Sequence, residues 1–276
     1  MTFGRRRVAE QTSWPWSCAA SAGFPCDLVS RPVSATCSGG WTAEYLVGLL
    51  LERPISCGNV ATGDPNETED PTEVVRRGYD AVSVRYDEEY GGATKYQAWL
   101  GELRERIPAG GTVLDLGCGS GIPVSRDLSE AGYRVTGIDI SEVQIRRARE
   151  LAPGAEFVRG DVTSVEFGLD SFDAVVSFFA LIHLPLEDQP SLLKRIATWL
   201  RPGGLFLATT GYWAWTGAEE NWLGGGVPMW WSHADVATYR AWITQAGLAI
   251  EREEFVPEGD GGHAFFWAQR PQSPGL

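Results

Sequence analysis

Residues 113–123 read VLDLGCGSGIP. A short apolar run of strand length meets an acid, Asp115, and then places glycine at 117, 119 and 121. Where a strand hands over to a helix through such a turn, backbone N–H groups at the helix start point at whatever lies over the strand ends. Gly117, Gly119 and Gly121 remove side chains that would keep a ligand off the backbone. A dinucleotide fingerprint, G-x-G-x-x-G, would need its third glycine one residue later, and position 122 is Ile. The phosphate loop G-x-x-x-x-G-K-[ST] is absent as well. Asp115 would repel a pyrophosphate and suits a positively charged centre. The turn therefore asks for a ligand without phosphates.

Working outward, Thr112–Leu116 is expected as the first strand, with a helix from about Ile122 to Ala131. Tyr133–Ile138 follows as the second strand. Asp139 closes it, 22 residues after Gly117, where an acid accepts both ribose hydroxyls of an adenosine. Ser141 caps the helix EVQIRRAREL. The alternation then repeats: strands at Glu156–Arg159 and Phe172–Phe178, the helix LEDQPSLLKRIATWL, and the strand GGLFLATT after the turn RPGG. A helix in SHADVATYRAWITQAG, with Ser232 as cap, precedes LAIEREEFV and HAFFWAQR. No helix separates these last two strands, so they pair antiparallel. Before the sheet, Asp70 and Pro71 start a helix through TEVVRRGYDAVSVRYDEEY, and TKYQAWLGELRERI forms a second. The expected fold is α/β: a Rossmann-like, doubly wound, mostly parallel seven-stranded sheet with an antiparallel C-terminal hairpin strand and an N-terminal helical cap.

The chain has 276 residues, 43% hydrophobic and 21% charged, the content of one globular domain plus an appendage. A net charge of −13 opposes binding to nucleic acid, which relies on Lys and Arg displacing counterions. Lys95 and Lys194 are the only lysines, and YLVGLLL at residues 45–51 is too short to span a bilayer. A small-molecule partner, no nucleic acid, no membrane and a cytoplasmic location are expected; oligomeric state is not readable. Residues 1–70 read as a poorly structured extension and linker, ending in ATGDPNETEDP, before a working domain over 71–276. One short helix is expected within the extension, at WTAEYLVGLLLERPI. Cys18, Cys26, Cys37 and Cys57 match no zinc-knuckle spacing, and no metal site is expected.

Five stretches in order carry a family resemblance: VLDLGCGSG, VTGIDIS, GDV at 160–162, FDAVVSFFALIHLP and LRPGGLFLATT. Together they resemble the class I S-adenosylmethionine-dependent methyltransferases, from about residue 72 to the end. The resemblance implies S-adenosylmethionine as cofactor, with Asp115, Gly117 and Gly119 around the methionine moiety and Gly121 as a further cofactor-binding residue. It implies Asp139 on the ribose, Ile140 against the adenine, Asp161 and Val162 at the adenine amine, and Phe178 near the sulfur. Tyr79 and Tyr86 are similar to tyrosines that close over the cofactor; equally, they form an aromatic stripe packing the helix on the sheet. His183 is the candidate catalytic residue or a structural histidine at a helix entry, and Cys118 is a small filler.

GYWAWTGAEENWLGGGVPMWW, residues 211–231, reads as a long loop over an acceptor, with GGG letting it act as a lid. Trp213, Trp222, Trp231 and His233 are its candidate acceptor-binding residues, suited to a flat aromatic or apolar molecule. The expected reaction is methyl transfer to a small-molecule acceptor by in-line displacement. Two other readings stay open: a sensor or scaffold that binds S-adenosylmethionine without turnover, and a nicotinamide-dependent oxidoreductase.

Overall fold

The computed structural model describes residues 69–91 and 94–272. Residues 1–68 of the expected extension, with its helix and four cysteines, lie outside the described residues. Asp70 starts α1 (Pro71–Tyr90) by accepting from the Thr72 N–H at 2.9 Å, and α2 (Thr94–Arg106) follows. Then come β1 (Thr112–Leu116), α3 (Val124–Glu130), β2 (Arg134–Asp139), α4 (Glu142–Leu151), β3 (Glu156–Arg159) and β4 (Phe172–Ser177). A 3-10 turn at Leu181–His183 leads to α5 (Gln189–Trp199) and β5 (Leu200–Gly211).

Seven strands form one sheet in the order β3-β2-β1-β4-β5-β9-β8, where β8 is Ala249–Glu258 and β9 is Gly261–Gln269. The five strands from β1 to β5 run parallel, whereas β9 pairs antiparallel with both β5 and β8. The expected architecture is the observed one. Strand order reverses between β1 and β4, and a crevice opens over the carboxyl ends of strands at such a switch point.

Alternation along β1 decides both faces of the core. Leu114 and Leu116 join Val175, Phe206, Leu192 and Leu193 beneath α5 and α6 (Val236–Gln245). Val113 joins Val176, Leu205, Leu207, Leu100 and Leu128 beneath α2 and α3. Burying an apolar side chain of this size contributes about 1.5–3 kcal/mol, so Val113, Leu114 and Leu116 together fix β1 between the two cores.

Three expectations are corrected. Residues 211–231 are not one loop: β6 (Trp215–Glu219) pairs antiparallel with β7 (Met229–His233), in a separate two-stranded sheet. The GGG stretch is fastened to α1 and is no free hinge. Arg85 donates to the Leu223 carbonyl at 3.0 Å and also to that of Gly224, and a Cβ on Gly225 would lie 2.4 Å from Val82. Finally, Asp235 caps α6 by accepting from the Thr238 N–H at 2.8 Å. Ser232 sits in β7 instead and bonds to Thr216 across the ribbon at 2.9 Å.

Candidate functional site

The glycine turn begins where β1 ends. Gly117 has φ +70°, and a Cβ there would lie 2.3 Å from the Ala180 methyl, so only glycine lets the loop after β4 close over the turn. Gly119 has φ +54° and gives its N–H to the Asp139 carboxylate at 2.9 Å. The other Asp139 oxygen accepts from the Ser141 N–H at 2.8 Å, tying β2, the turn and α4 together. Gly121 is placed differently. Its missing side chain would face Phe157, Ala152 and Ala148, so it packs α4 and β3 and does not line the crevice.

Three adjoining cavities surround this turn. The first, of about 680 Å³, is lined by Gly117, Gly119, Asp139, Ile140, Asp161, Val162 and Phe178, together with Tyr79 and Tyr86. It gathers every candidate nucleoside contact. Asp161 also accepts from the Thr163 N–H and hydroxyl, both at 2.8 Å, which fixes its carboxylate within its own turn. A second cavity, of about 480 Å³, holds Asp115 with Gly117, Gly119 and Ser120. The third, of about 760 Å³, is lined by the candidate acceptor residues Trp213, Trp222, Trp231 and His233. Tyr79, Tyr86, Phe179 and His183 line both the first and the third, so these two share a wall.

Burial sets the electrostatics. It raises the Asp115 carboxyl from 3.8 to about 7 against a 2.7 Å hydrogen bond donated by Ser125. It raises Asp139 to about 6 despite the N–H groups of Ser141 and Gly119, which hold it down. Burial pushes the Cys118 thiol well up, which keeps it protonated and suits the filler role.

His183 is buried, and its Nδ1 lies 2.7 Å from the Trp230 carbonyl, which can only accept. Nδ1 therefore carries the proton, and Nε2 accepts from the Tyr79 hydroxyl at 2.8 Å. Burial lowers the His183 pKa to about 4, so the ring is neutral at pH 7. The Tyr79 proton is committed to His183, and what Tyr79 presents to the cavities is its oxygen lone pairs.

The donor set of the first cavity fits S-adenosylmethionine. Its carboxylates suit ribose hydroxyls and an adenine amine, and no Lys or Arg lines it among the described residues, as a pyrophosphate would want. Gln144 adds a buried amide Nε2 without a hydrogen-bond partner at the cavity wall, while its Oε1 accepts from Ser83 at 2.6 Å. Ser83 belongs to α1, which is further tied to α4 by Ser141 donating to Asp80 at 2.5 Å and by the Arg147–Asp87 ion pair at 2.6 Å. The helical cap is thus latched over the crevice by side chains.

Sequence reasoning missed Phe179, Tyr90, Tyr96, Gln144 and Glu258. Phe179 has φ +63°, rare for a bulky residue, and its N–H is held by the Thr209 hydroxyl at 2.6 Å. It sits on the shared wall, where Phe178 does not. Nothing in local patterning marks such a residue. Glu258 lies at the end of β8, beside the turn to β9, and enters the third cavity together with His263, whose Nε2 is 2.7 Å from its carboxylate.

Residues 113–204 match a family described as "Methyltransferase domain". Among curated proteins the chain is 39% identical over 107 residues to a sterol 24-C-methyltransferase of Gibberella zeae, covering 36% of this chain and 27% of that one. It is 35% identical over 159 residues to the ubiquinone biosynthesis O-methyltransferase of Xanthomonas axonopodis, covering 52% of this chain and 65% of the relative. The chain thus spans less than two thirds of either relative's length. Among solved structures, magnesium protoporphyrin IX methyltransferase from Synechocystis with bound S-adenosylmethionine superposes with TM-score 0.58 at 21% identity, over 74% of this chain and 99% of that one. At that identity the likeness is one of fold. No helix among the described residues is long and apolar enough to cross a membrane.

Proposed function

We propose, on the premise that residues 113–204 carry the methyltransferase domain of the class I S-adenosylmethionine-dependent methyltransferases, that this chain methylates a small molecule with a flat, apolar body. The observation that carries this reading is the shared wall: Tyr79, Tyr86, Phe179 and His183 separate the cavity of the candidate nucleoside contacts from an aromatic one. Bound S-adenosylmethionine would supply an electrophilic methyl group on a cationic sulfur. Asp139 and Asp161 would hold the ribose and adenine; Asp115 and the turn at Gly117 and Gly119 would hold the amino-acid end. Trp222 and Trp231, 5% and 8% exposed, would exclude water from the acceptor's ring system.

Tyr79 would accept the acceptor's O–H or N–H on its lone pairs, which turns the reacting lone pair toward the methyl carbon. His183 would act one step back. Near pKa 4 it is a weak base, so its part is to hold the Tyr79 proton away from the acceptor rather than to ionise the acceptor.

Incubation of the full chain with methyl-labelled S-adenosylmethionine and a fractionated metabolite extract tests the reading. Label in a small, apolar product supports it. Tight S-adenosylhomocysteine binding with no labelled product from any fraction would replace it with a non-catalytic binding role.

A further inference from the structure

The third cavity has a chemical bias that an apolar acceptor alone does not need. Resting on the methyl-transfer reading, we propose that the acceptor atom is an amine nitrogen, recognised by a box of aromatic rings backed by a carboxylate. Tyr79, Tyr86, Tyr90, Tyr96, Trp222 and Trp231 line this space. Their rings meet edge to face: 76° between Tyr79 and Tyr86, 83° between Tyr79 and Trp222, and 89° between Trp222 and Trp231, with centroids 5.4–5.8 Å apart. Rings packed edge against face hold one another fixed around a cavity whose lining is mostly aromatic, a lining that attracts a cationic nitrogen.

Charge points the same way. No Lys or Arg lines the cavity among the described residues. Burial lowers His183 and His233, two of its three histidines, which keeps positive charge off them. Glu258 faces the third, His263, across 2.7 Å. An anionic acceptor would meet this carboxylate and no Lys or Arg. The cavity's own phenols show what a phenol acceptor would meet: burial first, and Glu258 next, push Tyr86 and Tyr90 up, opposing ionisation. An amine that has first given its ammonium proton to solvent attacks as a neutral nucleophile and avoids that penalty. The nitrogen lone pair forms the new N–C bond as the C–S pair returns to sulfur, and the positive charge passes from sulfur to nitrogen within the same walls. A tertiary amine ends as a quaternary ammonium; a primary or secondary amine ends as an ammonium that loses its proton to water on release.

The test is binding, not turnover. The full chain, saturated with S-adenosylhomocysteine, is titrated with benzyltrimethylammonium, its neutral isostere neopentylbenzene, and phenylacetate, followed by tryptophan fluorescence. The cation should bind about tenfold or more tightly than the isostere, and phenylacetate most weakly. In Glu258→Gln, first shown to bind S-adenosylhomocysteine as wild type does, the preference should fall at least about threefold. Equal binding of cation and isostere, preference for phenylacetate, an unchanged preference in the variant, or no binding of the cation would each overturn the proposal. The wild-type comparison stands even if the variant fails to fold. Failure of S-adenosylhomocysteine itself to bind would remove the methyl-transfer reading instead, and the three probes would still rank the cavity's charge preference.

Discussion

Replacing Asp115 with asparagine separates what suits the fold from what suits the ligand. Asp115 is 3% exposed at the end of β1, and burial outweighs the Ser125 hydrogen bond to raise its carboxyl from 3.8 to about 7. A carboxyl raised in this way costs the folded state nothing below pH 3.8, progressively more up to about pH 7, and its full penalty above that. At about 1.36 kcal/mol per pKa step, the penalty is about 4 kcal/mol at pH 8 and about 1.6 kcal/mol at pH 5. Asp115→Asn keeps an oxygen for Ser125 and removes the ionisable group. The ligand-free variant should therefore unfold at higher urea than wild type at pH 8, and this advantage should shrink by about 2–3 kcal/mol at pH 5. Calorimetry at pH 8 should show its S-adenosylhomocysteine affinity reduced about tenfold or more, since the ammonium end loses its counter-charge. A stability difference that is the same at both pH values, or a variant that binds as wild type, would refute the argument.

Gly117→Ala combines a left-handed backbone with a Cβ 2.3 Å from the Ala180 methyl; it should cost about 2–5 kcal/mol in urea denaturation and weaken S-adenosylhomocysteine binding. Tyr79→Phe deletes only the hydroxyl on His183; it should lower kcat about tenfold with the identified acceptor and leave cofactor affinity within about twofold, as measured by steady-state kinetics and calorimetry. His183→Asn keeps a donor for the Trp230 carbonyl and removes a proton that only the unfolded chain binds between pH 6.5 and about 4. Wild type should therefore lose about 3 kcal/mol more than this variant as the pH falls through that window, an outcome read by urea unfolding at a series of pH values.

The central strands were legible because burial on both faces leaves β1, β4 and β5 with near-continuous apolar runs between turn residues. The nucleoside contacts were legible for a related reason: Asp139 and the glycines occupy fixed offsets from strand ends. The β6–β7 ribbon was not. Its burial pattern is mixed, Gly217 interrupts β6, and the apolar residues of β7 pack on α1 and not on the sheet, so no period of two stands out. Gly121 misled for the opposite reason. It obeys the motif spacing, but its turn conformation aims it at α4. Tyr90, Tyr96 and Glu258 lie up to 168 positions apart in the chain and meet only in three dimensions.

Besides the segment after β4, the acceptor space draws walls from the first helix, the β6–β7 ribbon and the tip of the last strand pair. During synthesis α1 leaves the ribosome long before the ribbon and the β8–β9 pair exist. Phe265, Phe266 and Trp267 of β9 are nevertheless fully buried in the same two cores that hold β1. The nucleoside cradle and the chamber for the second reactant therefore become complete together, and a chain clipped ahead of β9 loses both.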